Sequence, residues 1–156
     1  MTMTTAVGYD VSAIVSADTA PFHRFLRGGT VRMQRCSQCG YIRYPSRPYC
    51  PECLSDAAEW ATLPGTGKVE AFVWYLNDAY DPEYDAAWAW REVPYNVALI
   101  TLDGGPTLLS NVVNVDAGGL QPGQPVQPVF VPISPEHAIL RFEIAGAALP
   151  LESSHA

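Results

Sequence analysis

All four cysteines of this 156-residue chain lie in one stretch, Cys36-Ser-Gln-Cys39-Gly40, then Cys50-Pro-Glu-Cys53, with ten residues between Cys39 and Cys50. Two residues between cysteines allow a tight turn to aim both thiolates at one point, and Gly40 supplies the positive φ that such a knuckle requires. Two facing knuckles make a tetrahedral four-cysteine site, with Tyr41 to Pro45 as a short hairpin between them. The spacing therefore predicts zinc held by Cys36, Cys39, Cys50 and Cys53. Iron takes the same four ligands, and the sequence leaves that choice open. A pair of disulfides is the nearest rival, but a reducing compartment disfavours it, and redox C-x-x-C chemistry uses one motif at a helix N-terminus rather than two. Four protein ligands close the site to water and substrate, so the metal is expected to be structural.

Charge divides the chain unequally. From Arg24 to Arg47 there are six arginines and no acid, whereas everything after Arg47 holds three basic residues against fourteen acids, within a net charge of -7. Arginines on so small a ribbon either solvate its surface or form an anion site, since guanidinium forks bind phosphate bidentately. No apolar run is long enough to span a bilayer. Met1 to Ala17 lacks a basic n-region and a long apolar h-region and reads as a disordered or docking tail, which sets the expectation of a cytoplasmic protein.

Asp18-Thr19-Ala20-Pro21 reads as a helix start, with Asp18 or Thr19 as N-cap, and Gly28-Gly29 as its end. Phe22, Phe25 and Leu26 form its apolar stripe, and a helix this short must dock on something. Thr30 to Arg35 and Glu59 to Leu63 read as ribbon strands. Beyond Pro64-Gly65-Thr66-Gly67 five β-type segments follow: Lys68 to Leu76, Tyr95 to Leu102, Pro106 to Val115, Val126 to Val131 and Ala138 to Ile144. In the first, strict alternation assigns Val69, Ala71, Val73 and Tyr75 to one face and Phe72, Trp74 and Leu76 to the other. Asp103-Gly104-Gly105 joins the second and third strands. The fold expected is mainly β: a short N-terminal helix over 18–29, a four-cysteine zinc ribbon over 30–64 and a five-stranded OB-fold barrel over 65–146, with tails over 1–17 and 147–156.

The order of G-G-T-V-R-M-Q-R-C-S-Q-C-G, Y-P-S-R-P-Y-C-P-E-C, G-T-G-K-V, P-Y-N-V-A-L-I-T-L-D-G-G-P and G-Q-P-V resembles the family catalogued as domain of unknown function 35. The resemblance covers about residues 20 to 146. It implies a rubredoxin-like zinc ribbon on an OB-fold, with the four cysteines as ligands, and a non-catalytic small subunit of a thiolase-like acyl-CoA enzyme. Relatives of this kind accompany thiolysis, condensation or retro-aldol cleavage in steroid side-chain and aromatic-acid breakdown, and a heterotetramer with the catalytic subunit is the assembly implied. One departure from the family pattern is the insertion Asn77 to Val93, with five acids and four aromatics.

No residue set rises to a catalytic constellation, because the cysteines are committed to metal and His23, His137 and His155 lack partners at a motif spacing and read as surface histidines. Binding of single-stranded nucleic acid is disfavoured by the acidic barrel half; a stand-alone acyl-CoA-binding protein or enzyme is the other alternative. Within the partner-subunit reading, Arg32, Arg35, Arg43 and Arg47 are expected to attract CoA phosphates. Tyr80, Tyr84, Trp88 and Trp90 are expected to contact the partner, since tryptophan and tyrosine are common interface anchors.

Overall fold

Residues 11–76 and 94–146 are described by a computed structural model, in which glycine and proline punctuation divides the chain into two antiparallel sheets. The first has the order β2-β1-β3, from β1 (Val31–Cys36), β2 (Ile42–Arg43) and β3 (Ala58–Leu63). The second has the order β6-β5-β4-β7-β8, from β4 (Gly67–Tyr75), β5 (Tyr95–Leu102), β6 (Thr107–Ser110), β7 (Pro125–Pro132) and β8 (Ala138–Ile144). It curls until its ends meet, and the fold is a nearly closed OB-type barrel.

The closing seam is made just past β6. Val112 bridges Phe142 in parallel, the Phe142 amide donates to Asn111 and the Val113 amide donates back to Phe142. Pro106 to Val115 was expected as one strand; β6 stops at Ser110 because the residues after it turn away from β5 to make this bridge. Buried Asn96 holds the turn, accepting from the Val112 amide at 2.8 Å and donating to the Val112 carbonyl at 2.7 Å, as a strand neighbour would.

β4 also departs from expectation. Val69 pairs with Ile100 and Ala71 with Leu99, so Glu70 is an extra residue, a β-bulge. A bulge shifts the pleat by one. Val69 therefore faces the core, but beyond the bulge Phe72 and Trp74 turn inward while Ala71, Val73 and Tyr75 face out.

The helix α2 (Ala20–Arg27) starts at Thr19, with proline in its first turn, and ends where the Gly29 and Thr30 amides close back on Leu26 and Phe25, Gly29 taking φ 79. Phe22 and Leu26 are buried in the same cluster as Val31 and Met33 of the ribbon and Val126, Leu140 and Phe142 of the barrel. One core thus runs through both halves. A single helical turn, α1 (Val11–Ile14), lies within the stretch expected as a tail. No helix among the described residues is long and apolar enough to cross a membrane.

The passage between the halves is tight. A Cβ on Gly65 would stand 2.9 Å from Val31 Cγ2 and 3.1 Å from Pro128 Cγ, at φ +79, and one on Gly67 would strike the Thr101 carbonyl oxygen. Both glycines are there because ribbon and barrel press together at this point.

Candidate metal centre

The two knuckles repeat one backbone pattern. Cys36 donates its amide to Tyr41 O and accepts from Gly40 N; Cys50 donates to Ser55 O and accepts from Leu54 N. Gly40 and Leu54 occupy the same position, with φ 79 and 63. Leucine holds the left-handed conformation that glycine holds in the first knuckle, and its side chain is 77% exposed.

These turns bring four free thiols together. Their sulfurs lie within 4.8 Å of one another, with Cys36 Sγ 3.5 Å from Cys53 Sγ and Cys39 Sγ 3.6 Å from Cys50 Sγ. Zinc–sulfur bonds of about 2.3 Å in a tetrahedron put sulfurs about 3.8 Å apart, so the donor set fits such an ion. The electrostatics agree. The Cys39 amide, with help from the Gln38 amide, holds the Cys36 thiol down to about 6. At Cys50 burial raises the thiol, but the Cys53 and Glu52 amides outweigh it and the net shift is downward. At Cys39 the Tyr41 amide favours thiolate, yet burial and the neighbouring sulfurs prevail and push the group up to about 12; at Cys53 the Ser55 amide and the Cys39 sulfur lower the group, but burial and the Cys36 and Cys50 sulfurs prevail and it too is raised. Backbone dipoles thus favour two thiolates, and the remaining two need a cation among them to ionise.

The arginines do not form one patch. Arg43 is 1% exposed, and its guanidinium donates to the carbonyl oxygens of Arg47, Pro48, Ser55 and Ala57 at 2.7–3.3 Å. It ties β2 to both flanks of the second knuckle. The expectation that it binds a phosphate is corrected, because the side chain is buried and both terminal nitrogens already donate within the ribbon. Arg32 stacks 4.6 Å over the Phe25 ring and donates to Trp60 O at 3.0 Å, leaving it half-buried. Arg35 and Arg47 are exposed. Strand alternation sends Arg32 and Arg35 to opposite faces of the ribbon, so the four positions are close in sequence without converging in space.

His23 is a second correction. Expected at the surface, it is buried in the seam between α2 and β8, where Nδ1 donates to the Ala138 carbonyl at 2.8 Å. Burial lowers its pKa, the hydrogen bond partly opposes this, and nearby His137 adds to the lowering. His137 itself is half-buried against the Ser134 hydroxyl, 3.0 Å from its Nδ1. His155 and the expected partner contacts Tyr80, Tyr84, Trp88 and Trp90 lie outside the described residues. The buried Asn96 that pins the barrel was not anticipated, since an isolated asparagine before an apolar strand carries no sequence signal.

A four-thiol ribbon packed on an OB-type barrel defines the class of protein. Residues 26–59 match the family model for the ChsH2 rubredoxin-like zinc ribbon domain, and residues 60–131 match that for the ChsH2 C-terminal OB-fold domain. A DUF35 domain-containing scaffold protein of Methanothermobacter thermautotrophicus is 32% identical over 97 residues, covering 62% of this chain and 68% of that protein. The chain belongs to the DUF35 family. It is also 29% identical over 140 residues to a probable enoyl-CoA hydratase alpha subunit of Thermomonospora curvata; these are 90% of this chain, which spans 40% of that relative's length. Among solved structures it resembles a chain of the Ltp2-ChsH2(DUF35) aldolase, with TM-score 0.69 and 27% identity over 84% of this chain and 97% of that one. A DUF35-family protein of unknown function from Sulfolobus solfataricus shares the fold, with TM-score 0.57 and 20% identity over 85% and 89% of the two chains.

Proposed function

We infer that this chain is the non-catalytic small subunit of a thiolase-like acyl-CoA enzyme, catalysing thiolysis, condensation or retro-aldol cleavage through its partner. The observation that carries the reading is the structural likeness spanning 97% of a chain from an aldolase named for two components. The described chain's own groups fit a supporting role. Its thiols converge on a closed metal site and His23 is tied to a backbone carbonyl. Zinc bound to the four cysteines would supply no open coordination position and would act by holding the two knuckles together; iron is the alternative that metal analysis decides.

The assembly we propose is a heterotetramer with the catalytic subunit, in which Tyr80, Tyr84, Trp88 and Trp90 contribute contacts and the exposed Arg35 and Arg47, rather than Arg32, attract CoA phosphates. Purifying the chain from its native cell together with whatever stays attached tests the first point. A thiolase-like protein in stoichiometric amount, with acyl-CoA turnover by the complex and none by the separated small chain, is the expected result; turnover by the small chain alone would overturn it. In that complex, Arg35→Ala and Arg47→Ala should raise the KM for acyl-CoA, most at low salt, where charges are least screened. An unchanged KM in both would restrict the arginines to surface solvation.

A further inference from the structure

The bulge at Glu70 leaves an apolar surface on the outside of the barrel. Across the strands, Leu109 of β6 pairs with Leu99 of β5, and Leu99 with Ala71 of β4; next come Val97 with Val73, then Tyr95 with Tyr75, whose rings stack at 4.6 Å. Leu109 is 65% exposed and Val73 55%. Tyr75, Leu76 and Leu99 are exposed as well, so five of the eight large apolar side chains exposed among the described residues lie on or beside this face. The opposite end of the same face is polar: Lys68 stands beside Thr101, whose hydroxyl lies 2.7 Å from that of Thr107. Apolar character is therefore graded toward one end, where β4 ends and β5 begins.

We propose that this face is the seat of the chain's own segment 77–93 in the uncomplexed protein. The segment follows Leu76 and returns at Pro94, so both its ends are fixed at the apolar end by the paired Tyr75 and Tyr95. From there to the row of Ala71, Leu99 and Leu109 is roughly 13 Å along the strands, and the three strands span about 10 Å. Seventeen residues going out and back reach up to about 28 Å, enough to cover that area. Any other face of the barrel would have to be reached around a sheet edge. Composition matches the seat: Tyr80, Tyr84, Trp88 and Trp90 are the large apolar groups the sheet lacks above it, and the five acids of the segment belong on its solvent side. The proposal concerns the chain by itself and stands whether or not the partner reading holds, since in a complex the same aromatic side chains would leave the sheet for the second protein.

Acrylamide quenching tests it in the full chain carrying Trp60→Phe and Trp74→Phe, so that the signal comes from Trp88 and Trp90. Leu99→Asp with Leu109→Asp should raise the quenching constant several-fold; no change would overturn the proposal. A measurement independent of that background replaces 77–93 by a short Gly-Ser turn and follows binding of the dye ANS, with metal content as the control for folding. The shortened chain should bind several-fold more dye than the full chain, and Leu99→Ser with Leu109→Ser in it should reverse the gain. Equal dye binding by full and shortened chains overturns the proposal, as does a full-chain dimer in sedimentation that Leu109→Asp dissociates, which would assign the face to a second copy.

Discussion

Arg43 illustrates how much a single side chain can be misread from its type. In the sequence it is one of six arginines in an acid-free run, and nothing local distinguishes it from Arg35, yet one is buried and the other exposed. The difference lies in the second knuckle, which presents carbonyl oxygens that only a planar, multi-donor group can gather. Arg43→Ala should cost about 3 kcal/mol or more in thermal or denaturant unfolding, because it strands buried carbonyl groups, and Arg43→Lys should restore little, since a point charge cannot span all four. His23 makes a complementary case. Its pKa is lowered by burial in the folded chain, so the unfolded chain binds the proton more readily. That contribution to stability is complete above the unfolded value of about 6.5 and is lost as pH falls from there through the lower folded value. Unfolding free energy measured between pH 7.5 and 5 should decline with acid more steeply in the parent than in His23→Gln; equal slopes would mean that His23 is not the group responsible. The metal ligands were legible because two C-x2-C pairs carry their geometry in their spacing, while His23 was not, since its acceptor Ala138 is 115 residues away.

Strand limits were readable where alternation ran undisturbed between turn residues. β5 and β8 fall where the apolar alternation and the flanking Pro94 and Pro135 place them. β4 was readable in extent but not in orientation, because a bulge is a property of two strands and Glu70 by itself looks like any outward residue. Deleting Glu70 should test what the bulge does. Without Glu70, Val69 and Ala71 become adjacent opposite Ile100 and Leu99, so Phe72 and Trp74 stay inside and Ala71, Val73 and Tyr75 outside, and the shortened chain is expected to keep cooperative unfolding and its near-ultraviolet aromatic signal. A deletion variant that loses this signal would show that Phe72 and Trp74 need the local twist of the bulge, and not only its change of register, to reach their seats. The ribbon sheet behaves differently, since between Cys36 and Ala57 its buried groups are chiefly cysteines, Arg43 and Ser46. Metal removal by a chelator should therefore release amide protection from residues 36–57 first, while Val31 to Met33, packed on α2 and the barrel, exchange with β7 and β8. Hydrogen exchange showing all of β1 lost together with the knuckles would place the ribbon outside the common core.

Seen whole, the molecule is a ribbon and a barrel without an intervening linker. In the sequence the ribbon gives way to the barrel at Pro64-Gly65-Thr66-Gly67, with two glycines at the junction. Their actual reason is steric: Gly65 fits between Val31 and Pro128, and Gly67 lies against the β5 backbone. Shared burial of Phe22, Leu26, Val31 and Met33 with the barrel interior then fixes the angle between the halves. A second protein touching both halves meets a surface whose two parts are already aligned, and no orientational freedom between them is lost on association. The same rigidity works in the other direction: a force or strain applied at the metal knuckles is transmitted to the barrel wall as displacement rather than absorbed as bending.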